Sequence, residues 1–255
     1  MPVVPRRLFL ASPLAFAQFG ASEGRAAPGF PTQEPDLVRE MVAVAHNNVA
    51  RVKELVGQRP TLAKAAWDGG YGDWETALGA ASHVGNREIA LLLLANGAHP
   101  TMFSAAMLGD LDVVKAFVTA SPGVQRTRGP HSITLLRHAL AGGAQAKAVA
   151  DYLQTIGGAD DAIAQQPLSA EDSGKLAGSY TFGSGANDRL DVTLVKTQLA
   201  IARTGGAARG LFHLGSWAFC PVGAEQVRIR FTESAEGMTV AVHDPGVVLT
   251  ARKSH

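Results

Sequence analysis

Between residues 35 and 163 one arrangement of small and apolar residues recurs four times, which restricts this stretch to short helix pairs that share their faces. The clearest copy begins at Asp73 and reads DWETALGAASHVGNREIALLLLANGAH. Ala80 and Ala81 fall in a first short helix, Gly85 ends it, Ile89, Leu92 and Leu93 mark a second, and Gly97-Ala98 closes the unit. Asn48 stands where Gly85 does in an earlier copy, with Met41 before it and Val52, Leu55 and Val56 after it. Gly109 holds the same place in a third copy, between Met102 and the run Val113, Ala116, Phe117. A looser fourth copy centres on Gly142-Gly143, followed by Val149, Leu153 and Gly157-Gly158-Ala159. One helix pair cannot bury such an apolar stripe alone, so the pairs are expected to nest side by side. Glycine between the helices permits the positive φ of a sharp turn.

The copy starting at Asp73 resembles the ankyrin repeat, whose pattern runs T-P-L-H-x-A-A-x-x-G, then a Val/Leu helix, then G-A-D. Thr76, Ala77, Leu78 and Gly79 fill its start, so the usual Pro and His are replaced. The spacings between copies are 37, 24 and 34 residues, against about 33 for an ankyrin unit. The short middle step removes the loop that would project between the second and third units. The resemblance implies an α-solenoid of about four repeats over residues 35–163 that binds a protein partner on its concave face.

Residues 168–255 differ. Leu168–Leu176 reads as a short helix with Ser169 as N-cap and Glu171 and Asp172 in the first turn. Eight short segments follow, separated by Gly-rich or Asn-Asp turns: 179–182, 189–196, 198–202, 208–214, 217–220, 226–232, 238–243 and 247–251. Polar and apolar residues alternate plainly in Asp191–Val195 and Val227–Phe231, the mark of half-buried antiparallel strands. The fold class expected is therefore α+β in two domains. The run Leu176-Ala-Gly-Ser-Tyr180-Thr-Phe, the Trp217-Ala-Phe-Cys strand and Leu249-Thr-Ala-Arg252 make this half similar to the small lipocalin-like domain appended to secreted bacterial hydrolases. An eight-strand barrel of that kind holds either one small ligand or a packed core, and so short a domain favours the packed core.

Residues 1–26 read as a signal peptide, with residues 27–34 as linker. Arg6-Arg7 precede Leu8-Phe9-Leu10 and a short small-residue apolar run, and Gly24-Arg25-Ala26 offers a cleavage site. The run RRLFL resembles the twin-arginine export signal, departing from it at Pro5 and Ala11; an ordinary Sec signal is the alternative. Either places the mature protein in the periplasm or outside the cell. Removing residues 1–26 takes away three basic residues and one acidic one, so the formal charge passes from +1 to −1. That balance gives no reason to expect a nucleic-acid partner. No apolar run reaches the roughly 20 residues of a membrane span. Cys220 is the only cysteine, which excludes an intramolecular disulfide.

No catalytic constellation is expected. The hydrolases that carry such a β domain use Ser-x-x-Lys, and no serine here has Lys three residues on. Gly-x-Ser-x-Gly, His-Glu-x-x-His and phosphate-binding loops are also missing from the sequence. His131 and His138 lie seven apart, as two residues on one helix face would, but no third ligand stands near them in the sequence, so neither a metal site nor a cofactor is expected.

The expected activity is protein binding. Between the first two units the chain reads Trp67-Asp-Gly-Gly-Tyr71-Gly-Asp-Trp74, a glycine turn with Tyr71 at its tip. Trp67, Tyr71 and Trp74 are candidate contact residues, since large aromatics dominate binding hot spots; either tryptophan could instead fold back as core. Arg126, Arg128 and His131, between the third and fourth units, could meet carboxylates of a partner, and His83 is an inner-helix candidate. The alternative is a small apolar ligand held by the β domain, with the helices as scaffold.

Overall fold

The computed structural model describes residues 32–244 and 247–254. The expected signal peptide and its cleavage site lie outside the described residues. The described chain is α+β, with helical pairs followed by a closed barrel.

The helical part opens with α1 (Pro35–Val44) and α2 (Val49–Gln58), then a hairpin of β1 (Ala66–Asp68) and β2 (Trp74–Thr76). Next come α3 (Ala77–His83) with α4 (Arg87–Ala95), α5 (Met102–Leu108) with α6 (Leu111–Ala120), and α7 (Leu135–Ala141) with α8 (Lys147–Ile156). Three of the first helices start the same way. Thr76, Thr101 and Thr134 are N-caps whose side chains accept from the backbone N–H of Gly79, Ser104 and Arg137, satisfying donors that a helix start leaves free. Asn48 and Asn86 do the same for α2 and α4.

The first helices pack α1 on α3, α3 on α5 and α5 on α7, while α2 meets α4 and α6 meets α8. Small residues allow this closeness: Ala77, Gly79, Ala80, Ala81 and Ser82 of α3 are all buried. Glycine is required at the turns. Gly85 (φ +75°) and Gly109 (φ +84°) would each place a Cβ within about 2.2 Å of a carbonyl oxygen, of Ala141 and Gln145 respectively. The contact from Gly85 to Ala141, like that of α3 with α7, reaches past the nearest neighbour, which a strictly linear array would not do.

After α9 (Ala170–Leu176), capped by Ser169 as expected, eight strands form a closed antiparallel barrel. They are β3 (Gly178–Thr181), β4 (Arg189–Val195), β5 (Gln198–Arg203), β6 (Arg209–Gly215), β7 (Ala218–Pro221), β8 (Arg228–Ser234), β9 (Gly237–Asp244) and β10 (Val247–Lys253). Each pairs with the next, and β10 closes on β3 through Arg252↔Thr181 and Lys253↔Tyr180. Alternation sets the inside: in β8, Ile229 and Phe231 point inward between Arg228, Arg230 and Thr232. The lumen is filled by side chains, including Leu176, Tyr180, Ile201, Phe219, Ile229, Phe231 and Val240. Rings of Tyr180 and Phe219 each meet Phe231 edge-on, with centroids 5.7 and 5.6 Å apart. The Tyr180 hydroxyl donates to the Leu176 carbonyl at 2.8 Å, which fixes α9 at one end of the barrel.

Candidate functional site

The hairpin β1–β2 is the finger between the first two helix pairs, in register Trp67↔Glu75 and Asp68↔Trp74. Its turn holds three successive left-handed residues, Gly70, Tyr71 and Gly72. Strand alternation then separates the side chains that follow: Asp73 and Glu75 face inward, at 2% and 6% exposure, while Trp74 points out at 63%.

The inward carboxylates organise a buried polar cluster. Asp73 Oδ1 accepts the backbone N–H of His131 at 2.9 Å, and Asp73 Oδ2 lies 2.7 Å from His131 Nδ1. Arg209 of β6 completes the set by donating to Asp73 Oδ2 and, through Nε at 3.0 Å, to the Gly69 carbonyl. Gly223 lies against the Asp73 carboxylate, where a Cβ would come within 2.3 Å. Finger, barrel and the 130–132 turn are thus tied at one carboxylate. His131 and Ser132 adopt positive φ to make that turn.

Two residues on, Glu75 Oε1 faces three imidazoles: His83 Nδ1 at 3.2 Å, His131 Nε2 at 3.3 Å and His46 Nε2 at 3.6 Å. His46 follows α1, His83 ends α3, and their rings lie 4.9 Å apart. Glu75 Oε1 and His83 Nδ1 are buried without a hydrogen-bond partner, since their approach is off the hydrogen-bonding direction. Burial pushes the Glu75 carboxyl up, but the facing His131 and His83 outweigh it and hold it at about 2. His131 is raised to about 9 by the hydrogen bond to Asp73 and then by Glu75, with burial opposing. Burial also works against the Asp73 carboxylate, yet His131 and Arg209 keep it below the ordinary range. His138, packed beside His83 and Phe103, is lowered to about 4, chiefly by burial.

The candidate contact residues are distributed differently from the expectation. Trp67 folds back, half-buried against the core of the first helix pairs. Tyr71 is not a free tip: its ring packs on the barrel core, at the mouth where Phe182, Leu190 and Leu249 gather, and burial raises its hydroxyl. His83 is 92% buried by side chain, and His131, though nearly a third exposed, is held by two carboxylates, so neither is a free group for a partner. Arg126 pairs with Asp161, and Arg128 donates to the Asp161 carbonyl and sits 3.8 Å from Glu225, so carboxylates and carbonyls of this chain already serve both. His131 and His138 share no helix face, because His131 lies in the turn before α7. Of the seven, Trp74 and Arg126 remain exposed; Arg126 is paired with Asp161, so Trp74 alone of these two has a side chain outside any ion pair or hydrogen bond among the described residues. Trp74 rims a groove of about 380 Å³ lined by Thr76, Thr101, Phe103, Pro130 and Gln226.

Sequence reasoning missed His46 and Glu75. Two signals pointed to them: His46 stands two residues before Asn48 as His83 does before Gly85, and Asp73 and Glu75 flank Trp74 with strand alternation. Comparison with protein-family models, with curated proteins and with solved structures finds no match to this chain.

Proposed function

We propose that the chain is an exported, non-catalytic interaction module of ankyrin type that seats an extended segment of another protein in the groove beside Trp74. One observation carries the reading: a tryptophan 63% exposed stands on a hydrogen-bonded hairpin at the rim of that groove. An exposed indole on an ordered element is the kind of anchor that dominates binding energy once covered. The repeated Thr N-caps and buried small residues of the first helices support the ankyrin assignment. Part of the finger surface is taken by the chain's own barrel, through Tyr71 and Asp73, which leaves a partner a narrow groove rather than a broad face.

A photo-crosslinking residue at Gln226, exposed in the same groove, compared with one at exposed Leu194 of β4, tests this in periplasmic extract. A discrete adduct specific to position 226, lost in Trp74→Ala, is the expected result. Identical crosslinks at both positions would refute it. Fractionation should find the protein outside the cytoplasm.

A second reading rests on a cavity of about 410 Å³ at the barrel mouth, lined by Tyr71, Phe182, Leu190, Val242 and Leu249 with Arg203 and Arg209 at its edge. A small apolar ligand would sit there, outside the filled lumen. Native mass spectrometry after mild extraction should then show retained mass that Tyr71→Ala loses.

A further inference from the structure

We propose that His46, His83, His131 and Glu75 form a binding site for a divalent first-row transition metal ion, with zinc the ion their chemistry fits. Each residue offers one donor atom, and these atoms all lie within 4.8 Å of one another. Four ligands about 2.0–2.1 Å from a tetrahedral ion stand about 3.3–3.4 Å apart. The three separations from Glu75 Oε1, at 3.2, 3.3 and 3.6 Å, lie around that edge length.

The hydrogen bonds at the far ring nitrogens also suit an ion. His46 Nδ1 lies 3.2 and 3.0 Å from the carbonyls of Val42 and Ala43, so Nδ1 carries the proton and the Nε2 lone pair faces Glu75. His131 Nδ1 donates to Asp73, so its Nε2, which faces Glu75, is the nitrogen that ligates once the ion displaces its proton. A carboxylate on the far nitrogen of a ligating histidine fixes the ring and strengthens it as a ligand. Arg209 in turn holds that carboxylate in place, so the barrel helps to orient a ligand on the helical side.

A plain ion-pair network is the competing account, and it leaves two atoms with facing charges but no directed hydrogen bond. Glu75 Oε1 and His83 Nδ1 are both buried and lack hydrogen-bond partners, whereas native proteins leave few buried polar atoms unsatisfied. A cation at the common centre gives both a partner. Calcium and magnesium are poor fits, since they take oxygen ligands, while three imidazoles and a carboxylate suit zinc and its neighbours. Four protein ligands complete a tetrahedron, which makes the site structural: it would clamp the end of α1, the finger, the end of α3 and the 130–132 turn.

The test uses the untagged full chain, stripped with a chelator and titrated with Zn²⁺, with bound metal counted after buffer exchange and Co²⁺ as spectroscopic probe. One ion per chain and the intense visible absorption of tetrahedral Co²⁺ are expected. Affinity should fall at least tenfold in His46→Ala and in Glu75→Gln with far-UV circular dichroism unchanged, and stay level in exposed His99→Ala. Asp73→Asn keeps all four ligands and should weaken binding about ten- to a hundredfold. Substoichiometric zinc, a Co²⁺ spectrum like that of the hydrated ion, or affinity indifferent to the cluster variants would overturn the assignment. Should a variant fail to fold, the Co²⁺ spectrum of the unaltered protein decides.

Discussion

Asp73→Ala is the substitution with the largest consequence that the structure allows to be worked out. The carboxylate is 1% exposed and takes hydrogen bonds from the His131 backbone and ring and from Arg209, whose side chain is itself only 13% exposed. Removing one member of a buried charged set costs about 3–5 kcal/mol, because the charges left behind stay desolvated and unpaired. His131 keeps nearly a third of its side-chain exposure and can turn toward water, so the lower end, about 3 kcal/mol, is expected. For a domain of this size that corresponds to a Tm lower by about 6–12 °C. Urea unfolding and calorimetry in chelator-containing buffer measure the ion pairs without any metal contribution. Calorimetry should also show the single transition broaden or split, because Asp73 joins the finger to the barrel. A loss below about 0.5 kcal/mol, the range of an ordinary surface substitution, would refute the reasoning.

Other outcomes follow from single contacts. His138 titrates at about 4 in the folded chain against 6.5 ordinarily, so the unfolded chain takes up its proton first. Its contribution is present above pH 6.5 and lost as pH falls toward 4, up to about 3 kcal/mol, and urea midpoints between those limits should change less in His138→Leu. Gly109→Ala forces a left-handed alanine whose Cβ meets the Gln145 carbonyl, whereas Gly123→Ala has the same strain and open space around it. The first should cost at least about 2 kcal/mol and the second about 1 in the same urea assay. Tyr180→Phe leaves the Leu176 carbonyl without its donor and should lower stability by about 1 kcal/mol, read as a Tm shift of about 2–4 °C.

The strands were legible because alternation is local. Val227–Phe231 states which side of β8 is wet without reference to any partner, and the structure agrees. The packed lumen followed from domain size, yet the closure of β10 on β3 did not, since alternation fixes a face and not a neighbour. The helix starts were visible in part, through Thr76; the equivalent roles of Thr101 and Thr134 emerge only with their capping bonds. Tyr71 was misplaced because its aromatic ring and glycine neighbours describe a turn, while its burial depends on barrel strands far along the chain. The histidine cluster was hidden for the same reason: its four members come from β2, α3 and two turns, brought together by packing that no local window contains.

The ring of strands carries a kinetic consequence. A closed sheet has no free margin on which another chain can build, but this one is sealed only when Val247–Lys253 docks between β9 and β3. Until then two unpaired borders stand open, and Ala251 is missing from the lumen. An emerging or refolding chain is therefore most prone to self-association just before that last segment arrives, and deleting it would make the transient hazard permanent.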